Sequence, residues 1–69
     1  MVFKTTVQDN SHVSQLEELL NQLILPLGRW IFDLDDCDRI LKVEHDELAE
    51  FQLIELMEQR GFNCVALED

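Results

Sequence analysis

Tyrosine is absent from this chain, and proline, glycine and basic residues are scarce: one Pro, two Gly and five Lys or Arg among 69 residues. So few breakers argue against a Pro-rich or Gly-rich linker and for regular elements joined by short connections. Two isolated glycines leave no Gly-rich loop to cradle a phosphate. Apolar runs are short; Leu23-Ile24-Leu25 stops at Pro26, far below the roughly 20 residues a membrane span needs, so no membrane insertion is expected. Near the N-terminus only Lys4 is basic and no apolar h-region follows it, so no signal peptide is expected. With two cysteines and no export signal, the expected compartment is the cytoplasm. Five bases against 15 acids give a net charge of −10. That charge repels phosphate backbones and anionic lipid, which excludes nucleic acid as an expected partner. It suits cations or a basic protein surface, or serves solubility alone.

What is present is ordinary for a small globular domain: 46% apolar and 29% charged residues. Val2 to Val7 alternates, with Phe3, Thr5 and Val7 on one face, and reads as a first strand. Asn10 or Ser11 is the expected N-cap of a helix whose stripe is Val13, Leu16, Leu20, Leu23 and Ile24, ending at Pro26 and Gly28. Glu17 and Glu18 read as early acids that favour the helix dipole. Arg29–Leu34 and Arg39–Glu44 alternate around the acidic turn Asp35-Asp36-Cys37-Asp38 and predict a β-hairpin. Asp46 is the expected cap of a second helix ending near Arg60, followed by a last strand over Phe62–Leu67.

This βαββαβ order predicts a single α+β domain over residues 1–69. It is a ferredoxin-like sandwich with a four-stranded antiparallel sheet, strand order 4-1-3-2, and two helices on one face. Such a topology gathers the loop after strand one, the Asp35–Asp38 turn and the Gln59–Phe62 connection at one end. Cys37 and Cys64 then fall on opposite sides of the sheet, too far apart for a disulfide, so two free thiols are expected: Cys37 exposed, Cys64 in the core. On the outward sheet face the alternation places Lys4, Thr6, Ile31, Asp33, Ile40, Lys42 and Val65. Ile31 and Ile40 are expected to form an exposed apolar patch, with Phe51 on the second helix as a separate one; both are candidate surfaces for a protein partner or a homodimer.

Phe3-Lys4-Thr5-Thr6-Val7, the stretch Trp30 to Val43 with Asp38-Arg39-Ile40-Leu41 inside it, and Gly61-Phe62 resemble the heavy-metal-associated domain family, which includes copper chaperones. The likeness runs through nearly the whole chain in length and element order. It implies a metal site in the loop after strand one, where the family carries Cys-x-x-Cys; here the matching positions are Asp9 and His12. Cu(I) needs polarisable sulfur, so that role does not carry over. A carboxylate and an imidazole suit a harder divalent ion, Zn(II), Ni(II) or Cu(II), with Asp35, Asp36, Cys37 and Asp38 as further candidate ligands from the neighbouring turn. The bland alternative is that Asp9 caps a helix and the acidic turn is solvated.

No enzyme is expected. Acylphosphatases share this topology, but they need a Gly-rich phosphate cradle and an Arg directly after strand one. This loop has neither, and Asp9 would repel a phosphate. There is no Ser/His/Asp spacing, and the two histidines, His12 and His45, are placed at opposite ends of the domain.

Overall fold

In the computed structural model, which describes residues 1–67, the elements follow in the order β1 (Val2–Thr5), α1 (Asn10–Ile24), β2 (Arg29–Asp33), β3 (Ile40–Glu44), α2 (Glu50–Gln59) and β4 (Cys64–Leu67). The strands form one antiparallel sheet in the order β2-β3-β1-β4. Read from the other edge, this is β4-β1-β3-β2. The fold is a small α+β domain.

Side-chain alternation sorts the sheet into two faces. Phe3, Thr5, Leu41, Val43 and Cys64 turn inward and are buried, as is Val7 just past the end of β1. Leu16, Leu20 and Ile24 of α1 and Leu53 and Met57 of α2 close over that same face, so both helices and the sheet share one core. Burying a side chain of this size is worth about 1.5–3 kcal/mol, and the nine fully buried side chains dominate what stabilises the domain. Trp30 sits half-buried at the rim, where its indole N–H donates to Asn21 Oδ1 at 2.9 Å and ties the edge strand to α1.

Several element ends differ from the sequence reading. The N-cap of α1 is Asp9, in extended conformation, and not Asn10 or Ser11. Glu17 and Glu18 lie beyond the first helical turn, which holds no acid, so the dipole does not account for them. α2 starts at Glu50 and not after Asp46, because the backbone N–H groups of Glu47 and Leu48 donate to His45 Nδ1 at 3.1 and 3.0 Å. Gln52 Oε1 then accepts the Ala49 N–H at 3.0 Å, half of a capping box, since alanine has no side-chain acceptor to return the bond. β3 begins one residue late, because Arg39 adopts a left-handed φ of 51° that a strand does not tolerate. The last strand begins at Cys64; Phe62 and Asn63 belong to the preceding connection, in which Gly61 takes a φ of 87°.

Candidate functional site

Three connections meet at one end of the domain, and their polar groups are occupied with holding one another. Asp9 Oδ1 accepts the backbone N–H of His12 at 3.1 Å, a helix cap. His12 Nδ1 accepts the backbone N–H of Gln8 at 3.1 Å, which leaves the ring proton on Nε2, and the ring packs edge-on against Phe62 with centroids 5.0 Å apart. Arg39 bridges the loops: its Nη1 donates to the Gln8 carbonyl at 3.1 Å and to the Leu34 carbonyl at 2.9 Å. Thr5 Oγ1 donates to the Arg39 carbonyl at 2.6 Å, and Thr6 Oγ1 accepts the Asn63 N–H at 2.9 Å. Arg39 and the two threonines do not stand out as site residues in the sequence. Their signal would have been a long cation beside a tight turn, which sequence spacing does not display.

The same geometry tests the residues for a divalent metal. Among the described residues, Asp36, Cys37 and Asp38 are the group whose ligand atoms converge, all within 4.8 Å of one another. Asp9, His12 and Asp35 are not part of it. Asp36 Oδ1 accepts the Asp38 N–H at 2.9 Å, as acids in turns commonly do, and Asp38 Oδ1 lies 3.5 Å from Lys4 Nζ. One oxygen each of Asp9, Asp36 and Asp38 is therefore engaged with a backbone N–H or with Lys4, and Asp9 and His12 lie outside the converging group.

The cysteines are both free, Cys37 exposed on the hairpin turn and Cys64 buried in β4. Burial, and secondarily the charge of Glu58, pushes the Cys64 thiol up to about 12, so it is a neutral core group and not a nucleophile.

The outward sheet face is different in kind. Register sets Ile31, Lys42, Val2 and Leu67 in one row across the four strands, and Asp33, Ile40, Lys4 and Val65 in the next. Aliphatic side chains thus alternate with two lysines. Ile31 and Val65 are 64% and 57% exposed. The expectation for Ile40 is corrected: it faces outward but is only 7% exposed. It lies on an inner strand, flanked by Asp33 on one side and by Lys4 on the other, whereas Ile31 on the edge strand has one neighbour. The exposed aliphatic residues of this face are therefore Ile31 on one edge strand and Val65 on the other, where half-buried Val2 and Leu67 adjoin it, and not an Ile31–Ile40 pair. Two concavities flank Ile31, of about 630 and 520 Å³, and share Trp30, Ile31 and Lys42. Phe51 on α2 is exposed as expected, and Leu25 and Leu27 after α1 are exposed as well. No helix is long and apolar enough to cross a membrane among the described residues.

No protein-family model, curated protein or solved structure matches the chain.

Proposed function

We propose that this chain is a ferredoxin-like, non-enzymatic domain, similar in its element order to heavy-metal-associated domains, that works in the cytoplasm as a protein-interaction module through its outward sheet face. The observation that carries the reading is the contrast in occupancy. Asp9, His12 and Arg39 are engaged with backbone groups of the loop end, while Ile31 and Lys42 stand exposed beside two concavities and Val65 stands exposed on the opposite edge strand. Exposed aliphatic groups gathered on one face mark contact surfaces more often than scattered ones do. A divalent-ion role at Asp9 and His12 is the weaker reading, because neither belongs to the group of ligand atoms that converge among the described residues.

The test is an unbiased one. A displayed random-peptide library is selected against the full chain, and the binders are mapped by amide shifts in NMR spectra. Binders are expected to perturb Ile31, Lys42 and Val65 and to be lost in the double variant Ile31→Glu, Val65→Glu. Binders that map consistently to the helices or to the loop end overturn the proposal. So does a titration with Zn(II), Ni(II) or Cu(II) that saturates at micromolar concentration with shifts at His12 and Asp35–Asp38.

A further inference from the structure

Neither helix contains a lysine or arginine, and together they expose Glu17, Glu18, Glu50, Glu55 and Glu58. In a chain of net charge −10, that side repels a second copy. The free edge of β2 is built differently. Its sequence, Arg29-Trp30-Ile31-Phe32-Asp33, is aromatic and β-branched at its centre and holds no proline, lysine or glycine. It pairs with β3 through five consecutive residues without a bulge. Proline, lysine and bulges are the devices that blunt exposed strand edges, and β2 has none of them. The opposite edge, β4, is Cys64-Val65-Ala66-Leu67 and carries no charge to fix a register.

Main-chain geometry leaves the β2 edge open. Val43 N–H donates to the Met1 carbonyl at 2.8 Å and the Met1 ammonium donates to the Val43 carbonyl at 2.7 Å, so the backbone of Val43 faces β1. Alternation then turns Lys42 toward β2 and its register partner Ile31 toward β3. The N–H and C=O groups of Trp30 and Phe32 are the ones directed outward. The concavity of about 630 Å³ runs along them, lined by Val13 of α1 on the core side and by Ile31 and Lys42 on the outward side. The Trp30 and Phe32 rings, half-buried and packed edge-on with centroids 5.9 Å apart, lie at the same rim.

We infer that the occupant of this edge is a second copy of the chain. Its β2 lies antiparallel to the first about a twofold axis at Ile31, which joins the two four-stranded sheets into one. In that register the strand is self-complementary. Each Arg29 meets Asp33 of the second copy, and Ile31 meets Ile31 as a close pair without hydrogen bonds. Each Trp30 exchanges both N–H···O=C bonds with the Phe32 opposite, and their rings gain cover. The surroundings are acidic on balance. Glu44 shares Arg29 at 2.8 Å, Asp35 follows the strand, and Lys42 stands one strand in. Glu17 lies on the α1 stripe between Val13 and Asn21, the residue that bonds Trp30, and faces its counterpart across the axis. Charge therefore selects the register, while main-chain hydrogen bonds and apolar contact drive the association. Five residues a side is far short of the roughly 20–30 of a standard interface, so the dimer is weak and forms at about 0.1–1 mM. The edge is distinct from the outward face as an interaction surface, although Ile31 belongs to both.

The test follows the full chain by NMR diffusion from about 0.02 to about 2 mM in about 0.15 M salt, with amide exchange read at each concentration. A dimer is expected over that range. The amides of Trp30 and Phe32, open to water in the monomer, become protected as it forms. Arg29→Asp and Asp33→Arg should each weaken it about tenfold or more, and an equimolar mixture of the two variants should restore it, because each supplies the charge the other lacks. Asp33→Arg discriminates best. It removes two units of the −10 charge, so general repulsion alone would tighten its dimer, whereas the twofold register loosens it. Protection of Trp30 and Phe32 is read on the native chain and decides the edge even where a variant fails to fold. A chain that stays monomeric up to about 2 mM, protection that appears elsewhere than β2, or a mixture that associates no better than its components overturns the inference.

Discussion

The loop end and the outward sheet face hold similar inventories of polar side chains and use them in opposite ways. At the loop end, Asp9, His12, Thr5, Thr6 and Arg39 are hydrogen-bonded to backbone groups from the β1–α1 loop, α1, the β2–β3 turn and the connection before β4. On the sheet face, Lys42 stands between Ile31 and Val2, neither of them fully buried, while Lys4 pairs with Asp38. Polar groups at an expected metal position thus serve as local scaffolding of their loops, as the Asp9 cap and the Arg39 bridge do. An ordinary-looking Ile–Lys lattice is the better candidate, because its surface is still unspent.

The comparison can be broken most severely at the buried thiol beside the loop end. Cys64 pairs with Thr5 in register and is held neutral, with its thiol pushed up to about 12. An unfolded cysteine ionises near its ordinary value, so the unfolded state loses its proton first. Stability is then full below about pH 9 and falls as pH rises toward 12, by about 1.4 kcal/mol per pH unit. Chemical denaturation at stepped alkaline pH should show this fall in the native chain and much less of it in Cys64→Ala. Over the same range Cys37 should react with a thiol reagent in the folded protein, and Cys64 only on unfolding.

Next in size is Arg39. Arg39→Ala removes both bridging hydrogen bonds and keeps the unfavourable φ, with an expected cost of about 2 kcal/mol. Arg39→Gly relieves the backbone while losing the same bonds, and should cost less. A larger loss in the glycine variant would mean that the side chain does not hold the loops. Denaturant midpoints at constant slope give both values.

Asp9 sharpens the choice between cap and ligand. Asp9→Ala should cost about 1 kcal/mol, while Asp9→Ser should restore most of that, since a hydroxyl also caps a helix. A ligand role would predict the reverse pattern in a metal titration, with serine no better than alanine. The smallest effect on stability belongs to the sheet face: Ile31→Ser and Val65→Thr are each expected to stay within about 0.5 kcal/mol. The same substitutions should cost most of the binding to selected peptides. A large destabilisation there would make the face structural.

The periodic parts of the molecule were legible in the sequence. Alternation placed Phe3, Thr5, Leu41 and Val43 inward, and the helical stripe through Leu16, Leu20 and Ile24 is buried. Element ends were less so, because they are decided by competition among hydrogen bonds. His45 takes the N–H groups that Asp46 was expected to cap, and Asp9 outcompetes Asn10 and Ser11 because it alone sits extended, one residue before the first turn. The burial of Ile40 depended on strand position and not on alternation, which assigns a face but not a crowding. Asp9 and His12 looked like half a ligand set because spacing shows which residues are near and not which atoms are already bonded.

The uneven charge also means that the domain has a preferred heading. Near a positively charged surface, the field acts on the carboxylates of α1 and α2 before any contact forms and swings the helices toward that surface. The molecule would arrive with its lysines pointing away, so adsorption to a cationic support should leave Ile31 and Val65 outermost and still able to take a second molecule.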